Sequence, residues 1–126
     1  MKTYDVASIR NICLLGHVGV GKTTLLESMS FASKATHKMG KVDDGSSNFD
    51  TRQDERDRKM SISMAVGICE WRDTKINVLD TPGFLDFVGE AQAAAQVVES
   101  AMIVIDAVDG VQVGTEVTAR FVEAKK

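Results

Sequence analysis

A glycine-rich stretch followed by one lysine, GHVGVGKTT at residues 16–24, carries the clearest chemical signal in the chain. Its spacing matches the pattern G-x-x-x-x-G-K-[ST], in which glycines let main-chain amides approach phosphate oxygens. Lys22 would place an ammonium beside the β- and γ-phosphates, and the Thr23 hydroxyl would ligate Mg²⁺. The alternative, a glycine-rich turn with a chance lysine, is disfavoured because a predicted strand precedes the motif and a predicted helix follows it. The residues expected to bind a nucleotide here are Gly16, His17, Val18, Gly19, Val20, Gly21, Lys22, Thr23 and Thr24.

A second motif, INVLDTPGF at residues 76–84, delivers an acidic side chain from the end of an apolar strand. The Asp80 carboxylate would hold a magnesium-bound water, and Gly83 would offer an amide N–H to a γ-phosphate. The second contact is lost when that phosphate leaves, so the loop could report hydrolysis. The alternative is a simple Thr-Pro-Gly turn between a strand and a helix. The nucleotide-binding residues expected here are Asp80, Thr81, Pro82 and Gly83.

The elements that must position these motifs follow from the hydrophobic pattern. Apolar runs and alternation predict strands at residues 9–15, 62–71, 75–80 and 101–106. Helical spacing predicts helices near residues 22–35, 91–98 and 113–124. A short turn between the second and third strands favours an antiparallel hairpin. The order predicts an α/β fold, a three-layer P-loop NTPase sandwich whose sheet is mostly parallel with one antiparallel edge strand, incomplete at the C-terminus.

Most other residues receive structural interpretations. Residues 36–60 lack periodicity and are predicted to form a long, solvated loop. Its acidic side chains, which alternate with arginines and lack a calcium-loop pattern, are Asp43, Asp44, Asp50, Asp54, Glu55 and Asp57. The predicted core positions include Cys13, Cys69, Leu25, Leu26, Met29, Ala32, Met64 and Met102. His17 is expected to contribute only its backbone.

Composition excludes several classes of protein. The chain has 126 residues, 15 Lys plus Arg and 18 Asp plus Glu, so its net charge of −3 disfavours direct DNA binding through bulk charge. Its length fits one domain. The two cysteines lie far apart without metal-ligand spacing, which favours a reducing compartment. No apolar run reaches the ~18–20 residues that a membrane helix needs. We therefore expect a soluble, cytoplasmic monomer without a membrane partner.

The motifs together resemble a known family. Asp-x-x-Gly after a P-loop resembles GTPases rather than P-loop ATPases, and KMGKVDDGSSNFDTRQDERDRKMSIS at residues 38–63 is similar to the first switch of elongation factor G. The stretch VGEAQAAAQVVESAMIVIDAVDGVQVGTE at residues 88–116 continues the similarity. The resemblance implies that residues 1–126 are the N-terminal portion of a GTPase domain. It also implies GTP or GDP and Mg²⁺ as cofactors and the ribosome as partner, through further domains outside this chain.

The resemblance assigns roles to individual positions. Ser61 takes the place of the switch threonine that ligates Mg²⁺, so the implied metal ligands are Thr23, Ser61 and Asp80. Arg58 matches the family arginine, whereas Lys59 replaces the usual glycine. Phe84 replaces the histidine that orients the attacking water, and Gly19 replaces a common aspartate. These departures resemble a paralogous branch with an aromatic second switch. The implied catalytic positions are Lys22, Ser61, Gly83 and Phe84.

Three functions remain open from the sequence. The first is a Mg²⁺-dependent GTPase that couples hydrolysis to movement on the ribosome. The second is a GTP-binding switch module with little or no hydrolysis, which Phe84 favours because an orienting acid or base is worth about 10²–10⁴ in rate. The third, a P-loop ATPase or kinase, is disfavoured by Asp-Thr-Pro-Gly. The guanine-reading Asn-Lys-x-Asp motif is expected beyond Lys126.

Overall fold

The computed structural model describes residues 2–124. The strands are β1 (Ile9–Leu15), β2 (Ala65–Trp71), β3 (Thr74–Asp80) and β4 (Ser100–Ile103). The α-helices are α1 (Lys22–Ala32), α2 (Gln53–Arg58), α3 (Val88–Val97) and α4 (Val113–Glu123), and short 3₁₀ turns occur at Val6–Ser8 and Leu85–Phe87. None of the helices within this described part is long and apolar enough to cross a bilayer.

The four strands form one sheet in the order β2-β3-β1-β4. β1 pairs in parallel with β3 and with β4, whereas β2 pairs antiparallel with β3, which confirms the predicted sheet. Arg72 and Asp73 both have positive φ values, 46° and 59°, as a tight hairpin between β2 and β3 requires. The register places Leu14 beside Asp80, so the carboxyl ends of β1 and β3 meet at one edge.

Helices cover both faces of the sheet because side chains alternate along its two central strands. On one face, α3 and its small alanines pack over a cluster made of Cys13, Leu15, Leu79, Ala91, Ala94 and Val98. On the other face, α1 packs over a cluster made of Leu14, Leu26, Cys69 and Val78. The three predicted layers are therefore present, and both cysteines occupy the core as expected.

Several predicted bounds were wrong. The helix predicted for residues 22–35 ends at Ala32, where Lys34 adopts a left-handed φ of 61° and the amides of residues 35 and 36 return to the Ser30 carbonyl. The strand predicted from residue 62 begins at Ala65, since side chains capture the preceding amides. The strand predicted for residues 101–106 ends at Ile103, and Asp106 closes a turn by accepting the amides of residues 108 and 109.

The long loop predicted for residues 36–60 contains a helix, α2, that was missed. Its six residues, QDERDR, have no apolar period, so hydrophobic pattern could not reveal it. Charge and capping account for it instead: the Glu55 carboxylate accepts the N–H of Arg52, and acidic residues occupy the first turn and arginines the last.

The predicted apolar face of α1 is confirmed in part, because Leu26 lies in the core and Leu25 and Met29 pack against it, but the helix also buries polar residues. Its buried residues are Lys22, Thr23, Leu26, Glu27 and Ser30, a helical stripe that is mostly polar. Of the predicted apolar face, Leu25 and Met29 are half-buried and Ala32 is exposed. Met102, predicted to face the core, is 44% exposed on β4, because the core side of that strand is occupied by its neighbours Ala101 and Ile103.

Candidate functional site

The loop between β1 and α1 is shaped by glycines. Gly19 and Gly21 have φ values of 78° and 95°, a left-handed region that side chains rarely adopt. Gly16 also has a positive φ, and a Cβ there would collide with the Val104 carbonyl oxygen. Gly21 is the N-cap of α1 and makes no side-chain capping bond, so the first amides of the helix remain available to an anion. This backbone is suited to hold phosphate.

Lys22 lies inside this loop with only 6% of its surface exposed. Its Nζ donates hydrogen bonds to the carbonyl oxygens of Gly16, at 3.1 Å, and His17, at 2.7 Å. Burial lowers the pKa of Lys22 to about 8, and the Asp80 carboxylate offsets this only in part. A buried ammonium whose hydrogen-bond acceptors are carbonyl oxygens is electrostatically suited to a phosphate.

Two hydroxyl groups meet at the mouth of the loop. Thr23 Oγ1 donates to Asp80 Oδ2 at 2.6 Å, and Ser61 Oγ donates to Asp50 Oδ1 at 2.7 Å. The two hydroxyl oxygens lie 3.0 Å apart. Since each hydroxyl has a single proton and directs it to its own carboxylate, lone pairs of both oxygens converge. That is the arrangement a hard cation needs.

The carboxylates beside these hydroxyls are incompletely satisfied. Asp80 Oδ1 and Asp50 Oδ2 are buried and have no hydrogen-bond partner among residues 2–124. Burial raises the pKa of Asp80 to about 6, against the effects of Thr23 and Lys22, and burial also raises the pKa of Asp50. Orphaned oxygens in a buried site fit Mg²⁺ bound with its water shell. Within the described residues no three His, Cys, Asp or Glu side chains cluster as metal ligands.

Asp50 was not among the predicted site residues, and the expectation that it is solvated was wrong. The chain buries it because neighbouring Phe49 packs against the α1-side core. An aromatic residue within a polar stretch was the available signal. Glu55, also expected to be solvated, is buried and accepts the amides of Ile62 and Ser63, both at 3.0 Å. Glu55 thereby fixes the backbone next to Ser61.

The second motif packs directly onto the first. Thr81 uses its hydroxyl to donate to the Leu14 carbonyl at 2.6 Å, so its side chain anchors the loop to β1. A Cβ on Gly83 would lie 2.5 Å from Lys22 Nζ and 2.6 Å from Val18 N. Only glycine fits this approach. Phe84 is 39% exposed and makes a tilted contact with Phe87, their ring centroids 6.4 Å apart.

A cleft of about 220 Å³ unites these groups. The predicted residues that line it are Val18, Gly19, Gly21, Lys22, Thr23, Thr24, Ser61, Thr81 and Gly83. Four further lining residues were not predicted: Val42, Asp43, Lys59 and Met60. The predicted residues outside the lining are Gly16, His17, Val20, Asp80, Pro82 and Phe84. Motif spacing and the family resemblance thus predicted most of the residues that line the cleft. The lining residues at 42–43 and 59–60 could be identified only from the structure.

Two of these positions have roles that the sequence did not reveal. The His17 side chain accepts the Gly114 N–H through Nδ1 at 3.2 Å, so His17 contributes more than its backbone and joins the phosphate loop to α4. Lys59, which stands where the resembled family has glycine, ends α2 with φ 53° and ψ 41°. The left-handed geometry that suits glycine is therefore retained by a lysine.

A parallel sheet whose first strand leads through a glycine loop and a buried lysine into a helix defines a P-loop nucleotide-binding protein. Residues 7–126 match the family described as elongation factor Tu GTP binding domain. The chain belongs to that family, as the resemblance implied.

Named relatives agree with this assignment. The chain is 40% identical to elongation factor G 2 of Borreliella burgdorferi, over 86% of this chain and 16% of the relative. It is 37% identical to elongation factor G of Granulibacter bethesdensis, over 98% of this chain and 18% of the relative. The chain therefore spans less than a fifth of these relatives.

Solved structures agree on the fold. A Thermus thermophilus structure, that of ttk003000868, matches with a TM-score of 0.91 and 34% identity, over 94% of this chain and 18% of that one. The bacterial selenocysteine-specific elongation factor EF-Sec matches with a TM-score of 0.73 and 22% identity, over 90% of this chain and 17% of that one. At this identity the match supports the fold alone.

Proposed function

We propose that the whole protein is a GTP-binding and GTP-hydrolysing translation factor of the elongation factor G type that acts on the ribosome. The observation that carries this proposal is the meeting of Lys22, Thr23 and Ser61 in one cleft at the ends of β1 and β3. The translation-factor names of its relatives support a cytoplasmic location, and the net charge of −3 disfavours direct DNA binding through bulk charge. We propose further that the protein is a monomer.

The phosphate grip would come from main-chain amides of residues 18–24. The Lys22 ammonium would exchange the Gly16 and His17 carbonyls for phosphate oxygens. The Gly83 amide would reach the γ-phosphate from the opposite side, since Gly83 already packs on Val18 and Lys22. Because this last contact exists only with a triphosphate, it would make the second motif sensitive to hydrolysis.

Thr23, Ser61 and Asp80 are the groups that would hold Mg²⁺, and we add Asp50 through its orphaned oxygen. The ion would neutralise charge on the β- and γ-phosphates. The Asp80 and Asp50 carboxylates would accept hydrogen bonds from water around the ion, and each would keep the Thr23 or Ser61 hydroxyl oriented through the hydrogen bond it already accepts. Ionisation of both carboxylates, whose pKa values burial raises, would accompany this binding.

A second candidate, a GTP switch with little hydrolysis, is favoured by Phe84. Its ring has no hydrogen-bonding group, and it lies outside the cleft lining. Single-turnover hydrolysis by the full-length protein, with and without ribosomes, separates the two candidates. Phe84→His should raise the rate about 10²-fold or more if water orientation is limiting. Wild-type turnover equal to that of an ordinary elongation factor G would exclude the second candidate.

The binding proposal is tested by titrating GTP into the full-length protein with Mg²⁺ present. Lys22→Ala should weaken binding at least about a hundredfold, since it removes charged hydrogen bonds to phosphate. Lys38→Ala, at an exposed lysine of the same chain, is the matched control and should bind as the wild type does. Competition by ATP distinguishes a GTPase from a P-loop ATPase or kinase. Unchanged affinity in Lys22→Ala would contradict the proposal.

A further inference from the structure

Glu27 is a fully buried carboxylate, 0% exposed, on the face of α1 that lies next to the site. It accepts four hydrogen bonds, and every donor is uncharged and comes from residues 40–48. Gly40 N donates to Oε2 at 2.8 Å, and Ser47 Oγ donates to Oε1 at 3.0 Å. The backbone N of Asn48 donates to Oε1, and its Nδ2 donates to Oε2 at 2.7 Å. A carboxylate buried this deeply persists only where such donors are held against it.

The backbone around Glu27 is fitted to that side chain. A Cβ on Gly40 would lie 2.9 Å from Glu27 Oε1 and 2.7 Å from the Cα of Ser47. Gly40 and Ser47 are themselves buried. Each carboxylate oxygen of Glu27 takes two donors with fixed directions, so these hydrogen bonds define how segment 40–50 packs against α1.

The same segment leads to the hydroxyl pair. Ser47 Oγ, which donates to Glu27, also accepts the N–H groups of Phe49 and Asp50, both at 3.2 Å. Asp50 then accepts a hydrogen bond from the Ser61 hydroxyl, whose oxygen lies 3.0 Å from the hydroxyl oxygen of Thr23. Thr23 and Glu27 are one turn apart on α1, so the contacts begin and end on the same helix.

We infer that Glu27 is a positioning residue: it holds segment 40–50 so that Asp50 and Ser61 meet Thr23 at the proposed magnesium site. This inference rests on the proposed function. The Glu27 side chain donates or accepts no hydrogen bond with the phosphate loop or the hydroxyl pair, because the four hydrogen bonds to its carboxylate all come from residues 40–48. Its loss should therefore affect the Mg²⁺-dependent part of nucleotide binding and leave the phosphate grip of the loop in place.

The test uses the full-length protein and Glu27→Gln, which replaces one acceptor oxygen by an NH₂ group facing two donors. The Mg²⁺ concentration for half-maximal GTP binding should rise about tenfold or more, since at least one buried hydrogen bond is lost and a donor is left unpaired. Affinity for GDP in EDTA should stay within about twofold, because it depends on the P-loop. Glu123→Gln, at an exposed glutamate of α4, is the matched control.

Trypsin gives a second readout, since Arg52, Arg56 and Arg58 are exposed within or beside α2. A non-hydrolysable GTP analogue with Mg²⁺ should slow cleavage there in the wild type and in Glu123→Gln, but not in Glu27→Gln. Ser47→Ala removes the hydroxyl that joins Glu27 to Asp50 and should reproduce the Mg²⁺ shift in smaller degree. It supplies the decisive measurement if Glu27→Gln fails to fold.

The possible results distinguish failure of the proposed function from failure of the role inferred for Glu27. A wild-type protein that takes up no GTP with Mg²⁺ would overturn the proposed function. A wild type that binds, beside variants with an unchanged Mg²⁺ requirement, would overturn only the role of Glu27. An equal loss of GDP affinity in EDTA and of GTP affinity with Mg²⁺ would also overturn it, because that pattern reports general damage to the fold.

Discussion

Gly83→Ala tests the close approach of the second motif to the phosphate loop. The added Cβ would lie 2.5 Å from Lys22 Nζ, 2.6 Å from Val18 N and 2.7 Å from the His17 carbonyl carbon. Lys22 can move its flexible side chain, but the other two atoms are backbone atoms of the phosphate loop, which cannot move aside as a side chain can. Residue 83 must therefore retreat, and its amide loses any bond to a γ-phosphate. A hydrogen bond to a charged group is worth about 1.5–3 kcal/mol, or roughly 10–150-fold in affinity.

The assay is the ratio of GTP to GDP affinity in the full-length protein. Gly83→Ala should lower that ratio by about the same factor, mostly through weaker GTP binding. Gly89→Ala is the matched control, because a Cβ at Gly89 on α3 meets nothing within 4 Å and alanine favours helix. An unchanged ratio of GTP to GDP affinity in Gly83→Ala would mean that the amide of residue 83 does not distinguish the triphosphate, contrary to this prediction.

Three further predictions concern stability. Because the pKa of Asp80 rises from 3.8 to about 6 on folding, the nucleotide-free protein should lose stability as pH rises from about 4 through 6. Chemical unfolding in EDTA at several pH values measures this loss, and the loss should be smaller in Asp80→Asn. Lys59→Gly should raise the free energy of unfolding by about 1 kcal/mol by relieving a left-handed residue, whereas Arg58→Gly inside α2 should lower it. Gly114→Ala should cost about 1–3 kcal/mol in urea unfolding, because its Cβ would lie 2.9 Å from the Cα of His17, and stability equal to that of Gly89→Ala would contradict this.

Hydrophobic pattern was sufficient for the frame of the molecule. The apolar run of β1, the alternation of β2 and the turn before β3 predict the sheet and its hairpin, and the glycine-lysine motif between a strand and a helix predicts the phosphate loop. The pattern failed where polar residues are buried. In α1, the stripe formed by Lys22, Thr23, Glu27 and Ser30 has helical spacing but looks like a solvent face. Such residues are buried because their hydrogen-bond partners arrive from segments distant in the chain, and single-sequence pattern does not contain that information.

The same limit explains why Asp50 and Glu55 were misplaced while Asp80 was not. Asp80 follows a strand, and the parallel sheet fixes its position beside Leu14. Asp50 lies in a loop and Glu55 lies in α2, a helix without an apolar period, so no hydrophobic pattern marks either residue. Their burial depends on Phe49, on Glu27 and on the amides of residues 62–63. A long charged segment can thus be ordered by carboxylates that accept main-chain donors rather than by an apolar core.

The distribution of groups around the cleft separates nucleotide binding from hydrolysis. The groups assigned to nucleotide binding lie in the phosphate loop, on α1, at or just after the end of β3, in segment 40–50 and at Ser61. Phe84 lies one residue beyond Gly83, outside the cleft lining, with its ring against Phe87. A change at position 84 can therefore alter the rate at which water attacks while the affinity for GTP stays near that of the wild type. If Phe84→His changed affinity and rate by the same factor, the two functions would share a group that this arrangement keeps apart.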